Sequence, residues 1–542
     1  MVGSRVRWFS ALALLLGVGS MTFTGCDVGG DGDVQTADED SADEATASSD
    51  DALTATGSKS WVGTFHSKFG SALAKGHLNG TQTADPAEDL VVGAIGDNDF
   101  TGSISVIFGA PGQGLEVSKS VLTQGVGEAE PGDEFGWSIA VGDFNGDHYD
   151  DIAVGAPGED VPIANLPGTS WSDAGQVTVM YGPFTSGQPA WREQITRQTI
   201  VANGGQSDER FGWALAAGDF DHNGIADLAI GSPFRTSNGE AEAGQITVLY
   251  GRATLGLNLH LTAADGAPGA QILSQSNLQN QTAEAYDRFG FALAAGNFDN
   301  AAGDDLAIGS PYEAPGSGPY QSGAVSILYS SHLQPLPTAT AQTIHGATAG
   351  LAYTAQGGAQ FGSSLAAGNT NADAFDDLVV GIPYYDIGAA LDAGAALVMR
   401  GSAAKLNPSA SFLLTQNRWP TTTVAESQEY CGYSVAVGNF NGDSTGDVAF
   451  GCMGQDIGSP GYAEQEGAVV VAYGPLFYSM YSPNAEFWHM DQPNVPGIAS
   501  DLEHFGAAVT AGDFDADGKD DLAAGAPGQQ AIDGEVVVLR GL

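Results

Sequence analysis

Basic residues are scarce in this chain. Only 17 Lys+Arg stand against 65 Asp+Glu in 542 residues, a formal net charge of −48. Phosphate backbones are held by basic patches, so nucleic acid is excluded as a partner class. A field this negative instead suits metal cations, or solubility in a salty medium. Three cysteines and nine scattered histidines leave no Cys/His metal spacing, no His-Glu-x-x-His and no phosphate-binding glycine loop. The chain is therefore expected to be no enzyme, with no catalytic residue assigned. Long apolar runs are missing too. Trp8 to Val18 is the main one, and it is too short to cross a bilayer as a stable helix.

Glycine is abundant, with 77 residues. It punctuates a pattern that occurs seven times: a start of Gly after a residue that is Phe in six copies and Cys in one, an apolar run, an Asp/Asn-rich turn, and a second apolar run closing on Gly. The starts are Phe69-Gly70, Phe135-Gly136, Phe211-Gly212, Phe289-Gly290, Phe361-Gly362, Cys431-Gly432 and Phe505-Gly506. A period of about 73 residues signals stacked units that cannot bury their apolar faces alone. The runs are short, β-branched and bounded by Gly or Pro, so they read as strands. In the second copy these are Phe135 to Gly142, Ile152 to Pro157 and Gly175 to Gly182, with a fourth, weaker strand expected near Gln198 to Val201; Gln271 to Leu273 is its equivalent in the third copy. Four antiparallel strands per copy, seven times around a centre, predict an all-β, seven-bladed β-propeller.

Gly155-Ala156-Pro157 and Gly525-Ala526-Pro527, with the variants Gly231-Ser-Pro, Gly309-Ser-Pro and Gly381-Ile-Pro, complete a motif that resembles the FG-GAP repeat family, known from the propeller of integrin α subunits. The resemblance covers about residues 58–542. The last copy stops after its third strand at Arg540, so the stretch around Asp51 to Val62 is expected to supply the missing strand and close the ring. An open edge would invite aggregation.

The turns between the first two strands carry oxygen-bearing side chains at positions 1, 3, 5 and 9. The three richest sets are Asp143, Asn145, Asp147 and Asp151; Asp219, Asp221, Asn223 and Asp227; and Asp513, Asp515, Asp517 and Asp521. Tyr149, Ile225 and Lys519 at position 7 would each offer a backbone carbonyl. Hard oxygen ligands at this spacing suit Ca²⁺, and the turn resembles the β-hairpin calcium loop of integrin propellers. Two further sets open on an amide and are expected to bind more weakly: Asn369, Asn371, Asp373, Phe375 and Asp377, and Asn439, Asn441, Asp443, Thr445 and Asp447. Ala301 in the fourth copy and His77 in the first stand at ligand positions, so those copies are expected to hold metal poorly. Turn-forming by Asp and Asn explains the first positions equally well, but a turn by itself gives no reason for the carboxylate at position 9.

Ahead of the repeats, residues 1–25 read as a signal peptide, with Arg5 and Arg7 before the apolar stretch. Phe23-Thr24-Gly25-Cys26 resembles the lipobox of bacterial lipoproteins, which implies a lipid on Cys26. Residues 26–57 are acidic and poor in large apolar side chains, as a flexible tether would be. Cys431 and Cys452 fall at the same end of adjacent antiparallel strands, and a disulfide is expected, worth about 3 kcal/mol in the chain-entropy model. Loops between strands two and three and between copies carry Tyr312, Tyr320, Tyr384, Tyr385, Trp419 and Tyr462, suited to stacking on sugars or packing on a protein. The expected function is an exported, lipid-anchored, calcium-binding surface module that adheres to a protein or polysaccharide, touching the membrane only through its anchor. A purely structural envelope or matrix protein is the alternative, followed by a hydrolase built from distant blades.

Overall fold

The computed structural model describes residues 53–542 except 65, 126–128, 165, 264–266, 302, 317, 333, 419–423, 458–464, 476–484, 498–501, 529–532 and 542. The expected leader, Cys26, Trp419 and Tyr462 lie outside the described residues, as does the expected tether up to residue 52. The rest is a seven-bladed β-propeller of four-stranded antiparallel sheets. No described helix is long and apolar enough to cross a membrane.

Every second strand opens on Asp and is buried at all six positions, from Asp89–Ala94 in blade one to Asp521–Ala526 in blade seven. A strand covered by neighbouring blades on both faces needs a continuous apolar run, which is why these segments do not alternate. The inner strands follow one another around the axis, and Ala508–Gly512 packs on Phe69–Gly76 to complete the circle. The core therefore lies between blades. Phe211, for example, is fully buried among Phe144, Val177 and Val179 of blade two and Leu228 and Ile230 of blade three. Burying one such ring contributes roughly 1.5–3 kcal/mol.

The Phe-Gly start and the glycine before each third strand are two halves of one contact between blades. Gly102 bridges Phe135, and the same pairing recurs at Gly244 with Phe289, Gly323 with Phe361, Gly394 with Cys431 and Gly467 with Phe505. At Gly102 a Cβ would lie 2.1 Å from the Phe135 carbonyl oxygen, and φ is +86°. Only glycine fits there.

Blade seven takes its outer strand from the N-terminal side, Leu53–Val62 pairing antiparallel with Glu535–Gly541. In blade two the expected fourth strand is displaced. Trp191–Ile195 forms it, and Arg197–Ile200 is instead a single helical turn capped by Thr196. The Thr196 side chain accepts from the Thr199 amide and the Thr199 side chain returns the bond, a reciprocal cap that outweighs the weak strand pattern.

Candidate functional site

In the blade-two turn, Asp143 Oδ1 accepts the amides of Gly146 at 2.6 Å and Asp147 at 3.1 Å, and its Oδ2 accepts His148 N at 2.8 Å. Asn145 and Asp147 each accept the amide two residues on, at 2.9 and 3.0 Å. The same set recurs at Asp219, Asp221 and Asn223 and at Asp513, Asp515 and Asp517. Positions 1, 3 and 5 thus fold the turn by holding its backbone N–H groups, with the residue at position 2 as anchor: Phe144, Phe220 and Phe514 are completely buried.

Position 9 has a structural role that its sequence context does not announce. Asp151 Oδ2 accepts Phe144 N at 2.9 Å, and its Oδ1 accepts Gly182 N at 2.8 Å, beyond the third strand. Asp89, Asp227, Asp305, Asp377 and Asp447 make the equivalent pair of bonds. Asp521 accepts Gly541 N at 3.0 Å and the Phe514 amide. All seven blades have this clamp, including blades one and four, whose turns are poorest in ligands. The position-9 carboxylate therefore has a reason to exist apart from any metal. Burial pushes Asp151 up to about 8 and Asp89, Asp305, Asp447 and Asp521 to about 7, against the opposing effect of the accepted backbone bonds.

The turns are also linked to one another. The residue at position 8 donates its amide to the position-1 carbonyl of the preceding blade, as in Asp304 N to Asp219 O at 2.9 Å, and Glu88 N to Asp513 O at 3.0 Å carries this link across the ring closure.

Carboxylates converge in two places among the described residues: Asp219, Asp221 and Asp227, and Asp513, Asp515 and Asp517, with one oxygen from each residue lying within 4.8 Å of the others. The first cluster fits a hard cation. Asp221 is fully buried, its Oδ1 accepts Asn223 N at 3.1 Å, and its Oδ2 has no hydrogen-bond partner. A buried carboxylate oxygen left unpaired is costly, and a divalent cation coordinated by Asp219, Asp221, Asn223 and the Ile225 carbonyl would satisfy it. In blades five and six the amide at position 1 closes the turn itself, Asn369 donating to Asp373 O and Asn439 donating to Asp443 O at 2.8 Å. That bond spends the amide nitrogen on the backbone; the Asn369 oxygen already accepts Asn371 N at 3.2 Å, whereas the Asn439 oxygen has no hydrogen-bond partner. Gly442-Asp443-Ser444-Thr445-Gly446 has the Gly-x-Ser-x-Gly spacing, but it is this strand-to-strand turn and lacks the strand-to-helix elbow of a nucleophile.

The FG-GAP repeat family matches residues 135–180, 211–249, 361–399 and 505–539, which are blades two, three, five and seven from inner strand to third strand. Four blades are FG-GAP repeats. The chain is homologous to integrin α subunits: it is 28% identical to integrin alpha-5 of Xenopus laevis over 219 residues, 40% of this chain and 17% of that one. Phosphatidylinositol-glycan-specific phospholipase D of Rattus norvegicus is 32% identical over 195 residues, 36% of this chain and 20% of that one. The chain thus spans about a fifth of the length of these curated relatives. A solved rhamnogalacturonan lyase of Bacillus licheniformis aligns with 83% of this chain and 80% of its own, at 10% identity and a TM-score of 0.33.

On the face opposite the acidic turns, aromatic side chains from five blades gather. Trp137 lies 4.4 Å from Trp213 between ring centroids, Trp213 4.8 Å from Phe234 and 5.5 Å from Phe291, and Phe291 6.1 Å from Tyr312. Arg288 stacks over Phe234 and Tyr312 at 4.6 and 4.3 Å. Tyr384 packs on Tyr430 at 5.4 Å. Of the residues expected for ligand binding, Tyr312 and Tyr384 belong to this group, Tyr385 packs instead on Tyr353, and Tyr320 is exposed and outside it. Trp137, Trp213, Phe291 and Tyr433 were missed, although each directly follows the glycine of the start motif, a spacing that could have found them. Cys431 and Cys452 are opposite each other in register and disulfide-bonded.

The same end of the blades carries buried carboxyl groups two residues before the start motif. Gln124 donates to Glu159 at 2.5 Å beside Asp133, Gln275 donates to Glu313 beside Asp287, and Gln416 bonds Gln455 at 2.7 Å beside Glu429. Burial raises Asp133 to about 6 and Glu429 to about 8; burial and then repulsion from Glu313 raise Asp287, and burial with repulsion from Glu284 raises Glu313. Folded pKa values above the ordinary 3.8 and 4.5 mean that the folded state holds protons that the unfolded chain has released. Their stabilisation is complete below the unfolded values and is lost as pH rises through about 6 to 8. The melting temperature in chelator is expected to fall between about pH 5 and pH 9, and Asp287→Asn is expected to flatten that slope. An unchanged slope in the variant would remove this pair from the account.

Proposed function

We propose that this chain is an exported calcium-binding propeller that serves as a surface binding or adhesion module, held to the cell envelope by a lipid on Cys26, and that it is not itself an enzyme. Calcium in the turns would be structural, bracing the first strand of a blade against the second. The aromatic face would take a protein or polysaccharide ligand. The observation that carries this reading is the division of labour between the two faces: carboxylate turns on one, and on the other buried and half-buried Trp, Phe and Tyr rings packed against one another across neighbouring blades. Aromatic rings supply large contact area for little lost conformational freedom.

The test has a calcium arm and a ligand arm. A loop with a dissociation constant of about 0.1–1 mM, usual for extracellular sites of this ligand type, would gain roughly 1–3 kcal/mol from about 10 mM calcium. The melting temperature is expected to be higher in calcium than in chelator, by less in Asp221→Asn. Binding to immobilised glycans or envelope proteins is expected to disappear in Trp213→Ala and Tyr384→Ala while the fold is retained. No saturable ligand in a broad screen would favour the purely structural alternative. Release of a phosphatidylinositol-glycan-anchored reporter by the chain would defeat the non-enzymatic reading, and a fatty-acid label that persists in Cys26→Ser would defeat the anchor.

A further inference from the structure

Blades three and seven place the same turn against different surroundings. Position 3 is a fully buried Asp in both, Asp221 and Asp515, and each gives its Oδ1 to the amide two residues on. The second oxygens differ. Asp221 Oδ2 meets no donor, whereas Asp515 Oδ2 is in ion-pair contact with Arg540 Nη2. Asp515 Oδ2 likewise receives no well-aligned hydrogen bond, but attraction between charges in contact does not require that alignment.

Arg540 reaches the turn because blade seven is built differently at its outer edge. Residue 540 follows Leu539, which pairs with Leu522 as Leu249 pairs with Leu228, so Arg540 stands where Tyr250 stands in blade three. Tyr181 and Tyr329 occupy the same place in blades two and four. In these three blades the tyrosine bonds a Glu or Gln on the fourth strand (Glu193, Gln271 and Gln342) and accepts an amide from the next blade. In blade seven the fourth strand is the N-terminal one, and opposite Val538, where Gln271 stands opposite Val248, it places Lys59. Lys59 donates to the carbonyls of Gln113 and Leu115 in blade one, at 2.9 and 2.6 Å. A cation there repels a guanidinium and sends Arg540 elsewhere. The closing strand makes room for this: Gly57, at φ +82° within the irregularity between Thr54 and Lys59, leaves a space in which a Cβ would lie 3.4 Å from Arg540 Cδ. Arg400, the other arginine at this place, instead faces the Phe412 ring of its own fourth strand at 5.8 Å.

We infer that Arg540 is a built-in counter-cation of the blade-seven turn, so that the richest acidic sequence in the chain is less available to calcium than the blade-three turn, and blade three is the preferred site. This rests on the calcium reading above. A divalent ion in blade seven must displace the guanidinium from Asp515, and that exchange lowers affinity by about tenfold, the scale of one charge-assisted contact. The N-terminal strand that closes the ring therefore also sets the cation preference of the last turn.

Calcium titration by isothermal calorimetry, with ions counted by native mass spectrometry, decides the matter. The double variant Arg540→Tyr/Lys59→Gln, which gives blade seven the pair found in blade three, is expected to bind one further calcium ion, or to bind its last ion about tenfold more tightly. Asp515→Asn in the otherwise unchanged chain keeps the proposal testable should the double variant not fold; it is expected to leave the number of tightly bound ions unaltered, whereas Asp221→Asn lowers it by one. If Asp515→Asn removes a tightly bound ion, or the folded double variant binds as the parent does, Arg540 does not guard the turn. If Asp221→Asn removes nothing while Asp515→Asn does, blade seven is the preferred site and the assignment is reversed. Calcium bound by none of these proteins would overturn the calcium reading and this inference together.

Discussion

Asp305→Ala is expected to destabilise the propeller by about 3 kcal/mol, equally in calcium and in chelator, because it takes this acceptor from one buried and one partly buried backbone N–H group. Those groups belong to Phe298, at 3.0 Å from the carboxylate, and Ser330, at 2.8 Å. Blade four is the place for this experiment, since Ala301 at position 5 removes a ligand and separates the clamp from metal binding. Asp305→Asn retains one acceptor oxygen and is expected to lose less. Urea unfolding in both buffers reads the difference. A loss confined to calcium would mean that the carboxylate serves a metal after all, and the clamp in the other six blades would have to be reconsidered with it.

The second large effect concerns ring closure. Trp61 on the closing strand is buried against Phe69, Leu90, Phe514 and Val536, side chains of blades one and seven, and its Nε1 donates to Glu116 O at 3.1 Å. Trp61→Ala is expected to cost about 3–5 kcal/mol, as for other buried aromatic rings. Removing residues 1–62 altogether is expected to do more, because Glu535–Gly541 would then present an unpaired edge and such edges recruit other chains. Size-exclusion chromatography and limited proteolysis check this: the shortened chain should elute as aggregate or be cut where the parent is not. A monomeric, protease-resistant shortened chain would show that the other six blades hold the ring closed without this strand.

Much of this architecture was legible before any coordinates, and for a local reason. A strand buried on both faces must be an uninterrupted short apolar run, and Asp-Leu-Ala-Ile-Gly-Ser occurs as such a run in both blade three and blade four. Blade two shows the limit of local reading: its fourth strand, Trp191–Ile195, is largely exposed and charged, so no apolar pattern marks it, and the expected position fell instead on a capped helical turn. The clamp was invisible for a different reason. Asp227 bonds the amides of Phe220 and Gly251, and a backbone N–H leaves no trace in the residue type that carries it. The aromatic face was half seen. Tyr312 and Tyr384 stood out in loops, whereas Trp137 and Trp213 looked like strand residues, and only the circular arrangement brings them within 4.4 Å of each other.

Sequence alone determined the repeat number, the strand class, the acidic turns and the need for a strand from the N-terminal side, because each follows from residue types within one repeat or from one repeat being incomplete. Tertiary structure decided which acidic turn has an open carboxylate oxygen and which is met by a guanidinium. Arg540 and Asp515 belong to different strands and turns of blade seven, and Lys59 comes from the opposite end of the described chain; charges separated by hundreds of residues act on one another only once the ring has closed and set their strands side by side.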